Sequence, residues 1–145
     1  MIEPMAARQI AESKDPSAAI ELLRGRNDAA RESMRDFQEF PHNSWRFHKG
    51  LVEATRNQTV TVLLQTIADI IELQLTRRYS RPMTSVEAQE QIRLNRQSVR
   101  ANDKLLKLLD SRDADGAEAY WTKHLLAAGT MVLGDDADSI VDLPE

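Results

Sequence analysis

The chain has 145 residues, 41% hydrophobic and 29% charged, which fits one globular domain rather than two. Five glycines, five prolines and 5% aromatics exclude collagenous, low-complexity and turn-rich all-β chains, and the absence of cysteine excludes disulfides, thiolate metal sites and cysteine nucleophiles. A net charge of −4 argues against a broad phosphate-binding face. The opening Met1-Ile2-Glu3-Pro4 has neither the basic start nor the apolar run of a signal peptide. No stretch is expected to approach the roughly 20 apolar residues of a membrane span, so a cytoplasmic location is expected.

The chain reads at helical period almost throughout, and six helices are expected. The first opens at Pro4, where proline's missing N–H costs nothing, and continues as Met5-Ala6-Ala7-Arg8-Gln9-Ile10-Ala11. Asp15-Pro16 reads as an N-cap followed by proline at the first helical position. The helix behind it carries Ile20, Leu23, Ala30, Met34 and Phe37 on one face, if Asn27 is admitted to that seam. It runs through Gly25 at a local cost of about 1 kcal/mol.

A third helix starts between Phe37 and His42, with Pro41 in its first turn, shows an apolar face of Phe47, Leu51 and Val52, and ends near Arg56-Asn57, where asparagine suits a C-cap. The fourth is the most apolar: Val60, Leu63, Leu64, Ile67, Ile70, Ile71 and Leu75, closed by Arg77, Arg78, Arg81 and Pro82. Thr59-Val62 alternates like a strand before the period switches to 3.6, and helix is preferred. Thr84-Ser85-Val86-Glu87 fits a capping box for a fifth helix that runs to about Leu109. Asp113 caps a sixth, with Ala117, Tyr120, Trp121, His124, Leu125 and Ala128, which fades over residues 129–134. Residues 134–145 form an acidic tail expected to be flexible, with five carboxylates and no base. The fold expected is an all-α antiparallel bundle over residues 2–133, because the connections are short.

Candidate chemistry is sparse. A di-iron bundle needs two Glu-x-x-His pairs; the chain has one, Glu39 to His42, interrupted by Pro41, and it reads as a helix start. No Gly-rich phosphate loop and no His-Glu-x-x-His is present. Arg77, Arg78 and Arg81 solvate a helix C-terminus more readily than they bind nucleic acid. His48 shares a face with Ser44 one turn earlier, and His124 stands one turn after Tyr120, so two histidines lie at apolar faces of different helices. On the fifth helix Asn95, Ser98 and Asn102 share a stripe with Val99, Leu105, Leu106 and Leu109. Uncharged polar residues on a core stripe either satisfy one another or line a cavity for a polar ligand, and the sequence leaves both readings open.

Several segments together resemble the C-terminal effector-binding domain, of the FCD class, of GntR-type bacterial transcription regulators. Ile2-Glu3-Pro4-Met5-Ala6-Ala7-Arg8 is similar to that family's Glu-Pro-x-Ala-Ala-Arg opening. Phe47-His48-Lys49-Gly50-Leu51 with Asn57 resembles its Phe-His-x-x-Leu and Asn signature. Asp113, Ala117 and His124-Leu125 resemble its closing segment, with Arg112 where glycine is usual. The resemblance implies a homodimeric helical bundle that binds a small metabolite, often a carboxylate, in its centre, and in many members a divalent metal held by one aspartate and three histidines. By motif position the aspartate falls on Ser44 and the histidines on His48, Asn102 and His124. Two of the four ligands match, which leaves at most a weakly held zinc or nickel.

The effector pocket expected comprises Ser44, His48, Asn95, Ser98, Asn102, Tyr120 and His124, with no catalytic residue. The family's winged-helix DNA-binding domain has no counterpart in this sequence, so DNA would be reached only through an N-terminal domain outside it. The alternatives are a ligand-free helical interaction module and a small helical enzyme using His48 or His124 as base, for which neither histidine has a carboxylate partner by spacing.

Overall fold

Local capping chemistry sets the helix boundaries in the computed structural model, which describes residues 2–136, with side chains to residue 128. The helices are α1 (Ile2–Glu12), α2 (Ser17–Glu32), α3 (Glu39–Ala54), α4 (Gln58–Tyr79), α5 (Ser85–Asp110) and α6 (Ala114–Asp136), with no strand among the described residues. The architecture is therefore the all-α bundle expected. Residues 137–145, most of the acidic tail, lie outside the described residues.

Asp15 accepts the Ser17 N–H at the start of α2, one residue later than the cap predicted. Thr84 and Glu87 close the full reciprocal capping box of α5. Asp113 accepts the Gly116 N–H at 2.9 Å at the start of α6, and a Cβ at residue 116 would crowd the Asp113 carboxylate and make it turn. Arg112, just before it, takes φ 57°, in the left-handed region that favours glycine.

Three boundaries differ from expectation, the first being that α6 continues to Asp136 instead of fading over residues 129–134. α2 stops at Glu32 rather than carrying its stripe to Phe37, because Ser33 turns back onto Ala29 and Ala30, and Asp36 takes the N–H groups of Gln38 and Glu39 to start α3. Asn57 does not close α3; its Oδ1 accepts the Val60 N–H and caps α4. The reversal between the two helices falls instead on Arg56, at φ 55°.

The core gathers Ala6, Ala7 and Ile10 of α1, Ile20 and Leu23 of α2, Phe47 and Leu51 of α3, Leu105 and Leu109 of α5, and Ala117 and Trp121 of α6. Alanines let α1 approach α6 closely, and Arg8 then reaches Glu118 and Asp115 across the contact. Between α2 and α5 the amides satisfy each other: Asn102 Nδ2 donates to Asn27 Oδ1 at 3.0 Å, and Asn27 Nδ2 donates to Asp103 at 2.8 Å.

α4 stands apart from this core. Val60, Leu64, Ala68, Ile71 and Leu75 are half-buried toward the bundle, and His42 of α3 pairs with Glu72. No residue of α4 is buried. Its other face leaves Val62 60% exposed with Ile70 and Leu73 beside it, and Leu63 and Ile67 are exposed along the edge between the two faces. By length and composition alone α4, at 22 residues, is also long and apolar enough to cross a membrane. That corrects the expectation that no stretch approaches this limit, although Asp69 and Glu72 stand in its middle.

Candidate functional site

Three helices bring a carboxylate, two imidazoles and an indole together. Glu3 projects from the first turn of α1, His48 from the middle of α3, and Trp121 and His124 from α6. Glu3 Oε2 accepts from His48 Nδ1 at 2.8 Å and from the Trp121 indole N–H at 2.8 Å. Its other oxygen, Oε1, is engaged by no donor among the described residues. Trp121 is fully buried and packs against both imidazoles, with centroids 5.6 Å from His48 and 4.7 Å from His124. Tyr120 also stacks on His124 at 6.4 Å and lies 6.5 Å from Trp121, its own ring covered by the Lys104 ammonium.

The electrostatics follow from this packing. Burial pushes the Glu3 carboxyl up, but the His48 hydrogen bond and charge, the Trp121 N–H and His124 outweigh it and hold Glu3 below the usual carboxylate range. Burial pulls His124 below the usual imidazole range, helped by the positive charge His48 can carry and opposed by Glu3. His124 is therefore neutral at neutral pH, and Glu3 is ionised. Burial raises the Tyr120 phenol.

Of the residues expected from the sequence, His48, His124 and Tyr120 join this cluster. Ser44 is half-buried one turn before His48. Asn102 instead spends its amide donor on Asn27, and Asn95 donates to the Met34 carbonyl while accepting from Gln91. For these two amides the structure takes the mutually satisfied arrangement that the sequence left open. Ser98 is half-buried on the same stripe. Glu3 and Trp121 are the residues that spacing missed. The enzyme alternative had lacked a carboxylate partner for either histidine, and Glu3, 45 positions from His48, is that partner.

A cleft of about 490 Å³ opens beside Glu3. Its walls are Val60, Leu64 and Ile67 of α4, Val52 of α3 and Leu125 of α6, and Glu3 is the one charged residue lining it. No group of three or more His, Asp or Glu side chains able to hold a metal ion occurs among the described residues. His48 Nδ1 is held by Glu3, and the hydroxyl of Ser44 and the neutral amide of Asn102 are weak donors for zinc or nickel, so the residues present do not fit the one-aspartate, three-histidine site.

Comparison with protein families matches the FCD domain over residues 1–127. No curated protein and no solved structure matches the chain.

Proposed function

We propose, from the premise that this chain belongs to the FCD domain family, that it is the small-molecule-sensing module of a GntR-type transcription regulator. FCD domains are regulatory rather than catalytic, so the reading is a sensor and not an enzyme. The observation that carries it is the Glu3–His48–Trp121 cluster, drawn from three helices and bordered by an open cleft. A metabolite bound there contacts α1, α3, α4 and α6 together, which is the differential contact a population shift requires.

The natural readout is the arrangement of a homodimer. The outward stripe of α4, Val62, Ile70 and Leu73, is a run of exposed apolar side chains along one helix face, the kind of surface that marks an interaction site. A second copy of the chain is its expected occupant, and DNA is reached through a winged-helix domain of the regulator, in the cytoplasm. In this reading the pocket works without a tightly held zinc or nickel, because Ser44 and Asn102 stand where the family's aspartate and second histidine would be and are weak donors.

A thermal-shift screen of the chain against small metabolites of all charge types tests the sensor reading. A ligand present at 100 times its Kd stabilises the fold by about 2.7 kcal/mol. Failure of every compound to raise Tm, or a hit whose effect survives Glu3→Gln and Ile67→Ala unchanged, counts against it. The enzyme reading gains the Glu3–His48 pair, and consumption of a hit compound by the chain would restore it.

A further inference from the structure

We infer that the cleft between α1, α4 and α6 takes a ligand with an apolar body and a cationic head, an alkyl- or cycloalkylammonium in chemical class, whose ammonium docks on Glu3 Oε1. This rests on the sensor reading above and narrows it. The cleft presents one ionised group, Glu3, and no basic side chain lines it. One carboxylate oxygen is saturated by His48 and Trp121 while the other has no donor among the described residues. An ammonium supplies that donor and meets the charge.

A carboxylate ligand in the same place would set a second negative charge beside Glu3, with no basic side chain lining the cleft to offset it. The walls have the complementary requirement. Val60, Leu63, Leu64, Ile67, Val52 and Leu125 offer methyl and methylene surface, and the one hydroxyl, that of Thr66, already donates to the Val62 carbonyl, so the body of the ligand is hydrocarbon. The volume of about 490 Å³ lies within the range of small-molecule sites.

The test uses three probes of one shape: cyclohexylmethylammonium, cyclohexylmethanol and cyclohexanecarboxylate. Each is titrated into the full chain at about pH 8, above the ordinary imidazole range, by calorimetry and by Trp emission. The ammonium is expected to bind at least tenfold more tightly than the carboxylate, with the alcohol between them and Trp emission shifting on binding. Glu3→Gln should bring the ammonium down to the alcohol. Ile67→Lys, at a half-exposed position of α4 that leaves the His48 and Trp121 hydrogen bonds untouched, should reverse the order of the two charged probes.

A carboxylate that binds as tightly as the ammonium overturns the inference and leaves the sensor reading standing. The same holds if none of the three binds while the metabolite screen gives a Glu3-dependent hit of another class. An empty metabolite screen overturns both.

Discussion

Replacing Glu3 by leucine isolates what the cluster contributes to the fold. Two N–H donors lose their acceptor. The indole N–H of Trp121 belongs to a fully buried residue and has no ready route to water. Such an orphaned donor costs about 1–3 kcal/mol. His48 is 23% exposed and can turn partly to solvent, so its loss is smaller. Leucine returns about 1 kcal/mol by covering apolar surface. The net is a loss of about 1–3 kcal/mol, which for a domain of this size lowers Tm by roughly 3–12 °C. Glu3→Gln keeps a carbonyl acceptor and loses only the charge, so about 1 kcal/mol, or roughly 3–4 °C, is expected. Differential scanning calorimetry on the two variants, with Glu32→Leu as an exposed control, decides the matter. A Glu3→Leu variant melting within about 2 °C of the unmodified chain would refute the reasoning, as would a glutamine variant as damaged as the leucine one.

Three further outcomes follow from the same geometry. Ser44→Asp with Asn102→His supplies the two missing ligands of the family's metal site, so the double variant should bind zinc or nickel much more tightly than the unmodified chain; strong stoichiometric binding by the latter in calorimetry defeats the claim that tight binding is lost. Ile70→Glu with Leu73→Glu on the outward face of α4 should turn a dimer into a monomer in light scattering without loss of helicity, and a chain already monomeric at high concentration removes the proposed pairing. Stability should fall as pH drops below about 6.5: His124 has a lowered folded pKa, so its unfolded form binds the proton first, and its contribution is whole above that pH and lost on acidification. Glu3, also lowered, adds a second loss beginning near pH 4.5. His124→Gln should flatten the upper part of the acid limb in urea titrations, and an unchanged slope sinks the assignment.

The helices were legible because their ends are decided by residues three or four apart. Thr84 with Glu87 and Asp113 with Gly116 act within one turn, and a sequence displays them directly. Asn57 misled because asparagine serves both ends of a helix and the two candidate helices meet at it. The polar network of the core was half legible. Asn102 stood out on a leucine stripe and Asn27 as an exception on another, yet nothing local states that the two exceptions meet across 75 positions. Glu3, His48 and Trp121 were illegible as a cluster for the same reason. Helical periodicity reports which residues share a face, not which faces meet, and this cluster spans three helices. Its members were nonetheless inside the motifs that carried the family resemblance or beside them. Those motifs have a physical content: Glu3 supplies the acceptor, Ala6 and Ala7 the close approach, and Arg8 the cross-link to α6.

α4 is where the proposed sensing and the proposed pairing meet. Its inward residues Val60 and Leu64 wall the cleft, and its outward residues Val62, Ile70 and Leu73 face solvent, so one helix separates the ligand from a second copy of the chain. It is also the helix with least to hold it: no residue is buried, and one cross-link, His42 to Glu72, ties its middle to α3. A rigid, fully packed helix could not report occupancy of the cleft to its far side, because close-packed interiors resist small displacements. A helix seated on one neighbour can shift by the fraction of a turn that a bound apolar body demands. Its cap at Asn57 and the Arg81–Pro82 exit then act as the two ends of the moving segment. Joining His42→Cys to Glu72→Cys through a short bifunctional thiol reagent should therefore abolish the effect of ligand on dimer arrangement while leaving binding at Glu3 intact, measured as retained calorimetric affinity with unchanged small-angle scattering on ligand addition. Loss of binding together with the response would place the control of the dimer elsewhere than in α4.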